Sequence, residues 1–285
     1  MKIGLVGAGQ MGAAIGGRLV SRGCTVLSPL DGRSPATHDR ARAAGITPCR
    51  IGDLADATLI LSILPSDAAA GVVAALRHVL LQADGPTLVE ANALSPEAKR
   101  RLLLPLAAAG ARVADASIVG APPHGDQPGP RLYVCGEPAT GIAALLDRGL
   151  DVRALDEPIG AAAALKMSYA AFNKGMTALT AASLLMADAA GVTDALVAEW
   201  AISQPGLLER SRIAVPTLYP KARRWVAEFD EIAAFAEAHR AGGPVFAAMA
   251  AFFAERADTG DAQREASRLS AVLNDRLYPP CQSHT

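Results

Sequence analysis

Aromatic side chains, an excess of either charge and paired cysteines are all scarce in this chain of 285 residues. Aromatics make up 4%, and the 51% apolar fraction is carried by Ala, Leu and Val, a bias that suits close-packed helices better than an all-β sandwich. Basic and acidic side chains number 27 and 28, for a net charge of −1, so no overall field gathers nucleic acid or an anionic membrane surface. Neither partner is expected. The four cysteines, Cys24, Cys49, Cys135 and Cys281, lack C-x-x-C spacing and read as reduced, buried thiols, with no metal site or redox pair indicated. No apolar run is long enough to span a bilayer, and the N-terminus lacks the apolar stretch of a cleavable signal, so a soluble cytoplasmic protein is expected. What is present suffices to bury one large core or two modest ones.

Short apolar runs at 2–6, 25–30, 57–63, 86–90, 112–116 and 132–135 read as strands. Helical patterns at 11–22, 68–81 and 96–109 lie between them, and the alternation implies a mainly parallel, doubly wound α/β sheet. The Pro- and Gly-rich stretch 121–130 reads as a loop. From about 158 the strand signal stops and Ala-rich helical segments follow to about 277, interrupted near Pro205 and Pro220. The expected organisation is therefore an α/β domain over 1–157 and an all-α domain over 158–285, with a frayed tail at 279–285.

Gly7, Gly9 and Gly12 form G-x-G-x-x-G directly after the first strand and at the opening of a helix. The three glycines divide the work. Gly7 makes the tight turn, Gly9 lets the backbone approach a pyrophosphate, and Gly12 lets the helix pack on the strand. That context makes the first domain a Rossmann-type nucleotide-binding fold, with the amides around Gln10 and Met11 at a helix N-terminus facing the phosphates. The second strand ends about 20 residues on, where an acid would hold the ribose hydroxyl of NAD and an arginine the 2′-phosphate of NADP. Asp31, Arg33 and Ser34 stand there. Arg33 offers a planar fork and Ser34 a hydroxyl, which favours NADP, with NAD kept open because Asp31 can pair with Arg33 or cap the turn.

Further landmarks follow the later strands: Leu64 and Pro65, then Glu90, Asn92 and Ser95, then Asp115, Val119, Gly120 and Ala121. Together with the glycines and Lys166, these resemble the β-hydroxyacid dehydrogenase and 6-phosphogluconate dehydrogenase superfamily. The segments 31–35 and 164–171 are similar to a bacterial subgroup whose helical C-terminal domain looks like that of 6-phosphogluconate dehydrogenase. The resemblance implies that Leu64 and Pro65 border the nicotinamide ribose, that Asn92 lies near the carboxamide, and that Lys166 is the catalytic lysine. It also implies a homodimer with interleaved C-terminal helices and an active site in the interdomain cleft. Departures matter as much: better-known members carry Ser-Gly-Gly where this chain has Val119, Gly120 and Ala121, Asn where it has Ala170, and Thr where it has Ala93. Simple 3-hydroxy acids are therefore poor candidates as substrates.

At 3.6 residues per turn, Lys166, Tyr169, Asn173, Thr177 and Thr180 share one stripe of an otherwise apolar helix. Such a stripe is either a wet outer face or the lining of a cleft, and the resemblance selects the cleft. A partly desolvated lysine there can stabilise and protonate the oxygen that hydride transfer makes anionic. Tyr169 is a competing donor, and Asn173 a candidate for the amide missing at position 170. Arg223 and Arg224 open a later helix, where cations oppose the dipole. Arg224 either pairs with Glu228 four residues on or binds a substrate carboxylate or phosphate. His239 reads as a helix C-terminal residue rather than a catalytic one.

The expected function is an NADP-dependent oxidoreductase acting on a small hydroxy acid, alcohol or matching carbonyl compound, with an anionic group on the substrate allowed. Imine reduction on the same architecture is an alternative, and a non-catalytic dinucleotide sensor another.

Overall fold

The computed structural model describes residues 1–274 except 126, 128, 137–141, 143, 146–147 and 259. Cys281 and the tail at 279–285 lie outside the described residues. The chain divides into two compact units, Met1–Lys166 and Met167–Thr285.

In the first unit the chain runs β1 (Lys2–Val6), α1 (Gln10–Ser21), β2 (Thr25–Pro29), α2 (Pro35–Ala43), β3 (Thr47–Cys49), β4 (Leu59–Ser62), α3 (Ala69–Leu80), β5 (Thr87–Glu90), α4 (Pro96–Ala108), β6 (Val113–Val119), β7 (Arg131–Gly136) and β8 (Asp151–Ala154). The strands form one sheet in the order β3-β2-β1-β4-β5-β6-β7-β8. Strands β1 to β6 are parallel, β7 returns antiparallel to β6 with Ser117 opposite Tyr133, and β8 runs parallel to β7. Every residue of β4, β5 and β6 is buried, as a sheet covered on both faces requires.

Alternation along the strands separates two cores. Ile3, Leu5, Leu59, Leu61, Val89 and Ala114 join the cluster that includes Ile15 and Leu19 of α1. Their neighbours Val6, Ile60, Leu88 and Val113 join the opposite cluster, with Val73 and Leu76 of α3 and Leu103 of α4. The period of two is what lets one strand feed both layers. Two crossover helices start on Ser-Pro pairs. Ser34 and Ser95 are N-caps, each followed by proline at the first helical position, and Ser95 Oγ accepts the Ala98 amide at 3.3 Å.

Strands β3 and β8 are additions to the sequence-based expectation. Both are short edges: β3 has three residues including Pro48, and β8 carries Asp151 and Arg153 paired at 3.0 Å on an exposed face. Neither presents the apolar run that marks a buried strand.

The second unit continues the 29-residue helix α5 (Ala161–Ala189) and adds α6 (Thr193–Ser203), α7 (Pro205–Ala214), α8 (Ala222–Ala238), α9 (Gly243–Asp258) and α10 (Ala262–Asn274). The rare aromatics concentrate here, since all six phenylalanines and both tryptophans fall after residue 166. Phe253 meets Trp225 edge-on at 5.2 Å and Phe229 at 5.0 Å, filling a centre otherwise lined by aliphatic side chains. Among the described residues no helix is long and apolar enough to cross a membrane.

Candidate nucleotide and hydride-transfer site

The strand order reverses direction at β1: the chain builds outward to β3 on one side and resumes with β4 on the other. The carboxyl ends of β1 and β4 therefore flank the crevice where open α/β sheets bind ligands. Gly7 follows β1 with φ +107°, and a Cβ there would lie 2.2 Å from the Ile63 carbonyl oxygen. A Cβ on Gly12 would lie 1.9 Å from the Gly7 carbonyl oxygen. Gly9 is different: it is the N-cap of α1, has an ordinary negative φ, and nothing stands within 4 Å of the position its Cβ would take. Two of the three glycines are thus required by packing, and the third leaves space over a helix end.

That end suits an anion. No side chain caps it, and its first turn has no acidic residue, so the first amides of α1 are open to phosphate oxygens. Gly9 and Gln10 are exposed, and Met11 packs its side chain on the core below. These features fit a dinucleotide pyrophosphate.

At the end of β2 the Arg33 amide donates to the Leu30 carbonyl at 3.0 Å, with Gly32 at φ +70° completing the turn. Asp31, Arg33 and Ser34 are exposed. Asp31 and Arg33 do not pair, and the Arg33 guanidinium makes no ion pair or hydrogen bond among the described residues. Ser34 Oγ lies 3.1 Å from Thr37 Oγ1. Arg40, which belongs to no motif of the sequence, donates to Thr37 Oγ1 at 3.0 Å and to the Ala8 carbonyl at 3.4 Å. Its guanidinium therefore links α2 to the glycine turn. Its place on the helix that Ser34 caps is the one signal the sequence offers.

Leu64, Pro65 and Asn92 follow the ends of β4 and β5. The Leu64 amide donates to Asn92 Oδ1, and Asn92 Nδ2 donates to Ser62 Oγ at 3.1 Å and Glu90 Oε2 at 3.0 Å. Asn92 is buried and its carboxamide fixed by three partners, while Pro65 is exposed. Beneath them sits a charged cluster that no sequence motif announces. Lys99, Glu90 and Asp115 are each fully buried; Lys99 Nζ lies 3.1 Å from Asp115 Oδ1 and 3.5 Å from Glu90 Oε1, and it donates to the carbonyls of Glu90 and Ala116. Asp115 Oδ2 accepts the amides of Gly160 at 3.0 Å and Ala163 at 3.3 Å, capping α5. Cys135 packs into the same cap, and burial pushes its thiol up to about 11.

Lys166 stands in the second turn of α5. Burial, and then the positive charge of Lys99, hold its ammonium below the usual lysine range. Farther along the helix, the Tyr169 ring is half exposed, and its carbonyl accepts Asn173 Nδ2 at 2.8 Å. Asn173 Oδ1 accepts from Arg210 at 2.7 Å, so both ends of that amide are engaged within the second unit. Thr177 and Thr180 are buried and return their hydroxyls to the carbonyls of Asn173 and Met176. With Asn173, Arg210 and Trp225 they line a cavity of about 380 Å³ in that unit. The stripe is therefore not simply a wet face.

At the end of β6, Val119 is buried and Gly120 and Ala121 are exposed, with Gly120 at φ +126° against Pro130. No hydroxyl occurs at these three positions. Arg224 Nε lies 3.7 Å from Glu228 Oε1, and Glu228 also pairs with Lys174; Arg223 pairs with Asp258 at 3.2 Å. The helix-pair reading of Arg224 is the geometry observed. His239 is the C-cap of α8, with Nδ1 2.8 Å from the Phe235 carbonyl.

Residues 2–157 match the family model described as the NAD binding domain of 6-phosphogluconate dehydrogenase, and residues 187–255 match a domain of unknown function, DUF1932. No curated protein matches the chain. Among solved structures, a conserved hypothetical protein from Sinorhizobium meliloti is 23% identical with TM-score 0.76, covering 97% of each chain. Mycobacterium tuberculosis 3-hydroxyisobutyrate dehydrogenase with L-serine is 18% identical with TM-score 0.68, covering 96% of this chain and 98% of that one. An imine reductase from Myxococcus stipitatus with NADP+ is 17% identical with TM-score 0.56, covering 94% and 99%. These likenesses establish the fold. The family match, on the turn and sheet described above, makes this chain a member of the 6-phosphogluconate dehydrogenase NAD-binding family, whose enzymes are NAD(P)-dependent oxidoreductases.

Proposed function

We propose that this protein is an NADP-preferring oxidoreductase that moves hydride between the nicotinamide and a small carbonyl or hydroxyl compound, with Lys166 as general acid in reduction and general base in oxidation. The observation that carries the reading is Lys166 itself, a partly desolvated ammonium of lowered pKa on the helix that Asp115 caps. The bound nicotinamide would supply or accept the hydride. Gly9 and the first amides of α1 would hold the pyrophosphate, with Leu64 and Pro65 toward the nicotinamide ribose and Asn92 toward the carboxamide. Lys166 donates a proton to the developing alkoxide. Tyr169 and Asn173 are assigned supporting roles on the same helix. Val119, Gly120, Ala121 and Arg224 are the substrate-side candidates.

The lack of a hydroxyl at 119–121 supports a less polar acceptor than a simple 3-hydroxy acid, and so keeps a cyclic imine as the second reading. NADPH oxidation against a panel of aldehydes, keto acids and cyclic imines separates the two. Silence across the panel with tight NADPH binding would leave a sensor.

Arg33, exposed next to Ser34 and without a side-chain partner among the described residues, supports NADP over NAD. Arg33→Ala is expected to weaken NADPH binding about tenfold, ~1.4 kcal/mol, with NADH little changed. Equal catalytic efficiency with both cofactors in the unmodified protein would defeat the assignment.

We also assign a homodimer. Phe172, Leu179 and Met186, at heptad spacing on α5, are all exposed. Light scattering should give about twice 29.3 kDa, and Leu179→Glu should return the monomer.

A further inference from the structure

Lys99 has no part in the hydride-transfer reading, yet it is among the largest fully buried side chains of the molecule. A lysine without solvent contact persists only where its charge is answered, and here two carboxylates on adjacent strands answer it. Each carboxylate also holds a different part of the candidate site. Glu90 accepts the Asn92 amide at 2.8 Å through Oε1 and the Asn92 carboxamide at 3.0 Å through Oε2. Asp115 accepts the amides of Gly160 and Ala163 through Oδ2 and turns Oδ1 toward Lys99. Asp115 thus sets the first turn of α5, which Gly160 enters at φ +105°.

We propose that Lys99 is a positioning residue for hydride transfer: by pairing with Glu90 it sets the Asn92 carboxamide against Leu64, and by pairing with Asp115 it sets the start of the helix that carries Lys166. The inference rests on the reading of Lys166 as acid and base. Geometry makes the coupling specific. One ammonium joins β5, β6 and, through Asp115, α5, so the two groups expected on either side of the reacting carbon share a single charged anchor. Lys99 also acts on Lys166 directly, since its positive charge adds to burial in lowering the Lys166 pKa. The other titratable groups around the cluster are the Cys135 thiol against Asp115, which burial keeps neutral, and Arg100, which lies beside Gly160 and pairs with Glu97 at 3.2 Å. Asn92 and Ser62 complete it as neutral partners.

Two variants test the proposal. Lys99→Met removes the charge at similar length. Lys99→Met combined with Asp115→Asn also keeps the cluster at its original net charge, which guards against a single variant that does not fold. The readouts are kcat and KM with NADPH and the best substrate of the panel, and the pH dependence of amine labelling at Lys166, followed on its peptide by mass spectrometry. In whichever variant folds, kcat should fall about 10- to 100-fold while the KM for NADPH changes little, as for a displaced catalytic group. In Lys99→Met, which loses the positive charge without compensation, the Lys166 labelling midpoint should also move up toward that of an ordinary lysine. Either variant, folded and with kcat within twofold of the parent, overturns the proposal. The underlying reading fails separately, if Lys166 in the unmodified protein labels like an exposed lysine or if Lys166→Ala retains turnover.

Discussion

Replacing Lys166 by alanine is expected to lower kcat by about 10²- to 10⁴-fold, the usual share of a general acid-base group. That range equals about 3–5 kcal/mol of transition-state stabilisation. Dinucleotide affinity should be unchanged, because the pyrophosphate and ribose contacts are assigned to Gly9, Arg33 and Leu64. The sign of the pH dependence follows from the role. Reduction needs the protonated amine, so its rate falls as pH rises through the Lys166 pKa, and oxidation needs the free amine, so its rate rises through the same pKa. Burial and Lys99 place that pKa below the ordinary lysine value of 10.5, bringing the transition toward neutrality. Lys166→Ala should remove the transition together with the rate. Lys166→Arg should keep the charge yet yield a slow enzyme with a flat profile, since a guanidinium does not release its proton in this range. Tyr169→Phe should cost less than either. Near-normal turnover in Lys166→Ala, measured under single-turnover conditions, would move the proton transfer to Tyr169 or elsewhere.

Substitution of the turn glycines should separate folding from nucleotide binding. In Gly12→Ala the new methyl meets the Gly7 carbonyl oxygen at 1.9 Å, a backbone atom that cannot step aside as a side chain would. Overpacking of this kind costs about 3 kcal/mol, and the melting temperature should drop by roughly 6–12 °C. Gly9→Ala should behave in the opposite way. The conformation is open to any residue and nothing crowds the added carbon, so stability should stay within about 0.5 kcal/mol. The methyl instead occupies the space a pyrophosphate needs, and NADPH binding should weaken about tenfold or more, ~1.4 kcal/mol. Thermal melts and calorimetric titration of both variants check the pair. If Gly12→Ala kept its melting temperature, or Gly9→Ala bound NADPH normally, the division of labour among the glycines would be wrong.

The parallel centre of the sheet was legible because strands buried on both faces are written as unbroken apolar runs, as in Leu59 to Leu61. Edges were not, because Thr47 to Cys49 contains a proline and Asp151 to Ala154 alternates charge with apolar residues at the surface. The glycine turn was visible for a related reason: its geometry demands missing side chains at fixed spacing, and that demand is local. Lys99, Glu90 and Asp115 meet only through tertiary structure. The sequence holds two subtle signs of them. Pro96, Lys99, Leu103 and Leu106 fall on one stripe of α4 and all are buried, so a lysine occupies a core position of an amphipathic helix. Asp115 likewise interrupts the apolar run of β6. A charge written into a buried stripe needs a partner, and following that need leads to the cluster. Arg224 teaches the converse, since a base at a helix start with an acid four residues on has that acid as its neighbour.

The sealed Lys99 cluster also limits how this protein can diverge. Losing Lys99 strands two carboxylates away from water, a penalty of about 3–5 kcal/mol that rivals much of a domain's stability, whereas losing one carboxylate leaves a matched pair. Single-step loss of Lys99 is therefore disfavoured, and descendants that exchange it should exchange one of its carboxylates as well. After β6, Ala121 stands in solvent with no such tie, whereas Gly120 is held at φ +126° against Pro130. A directed-evolution library for new substrates should vary Ala121 and hold Gly120 and Lys99 constant, and a deep mutational scan should show position 99 tolerating less than positions 90 and 115.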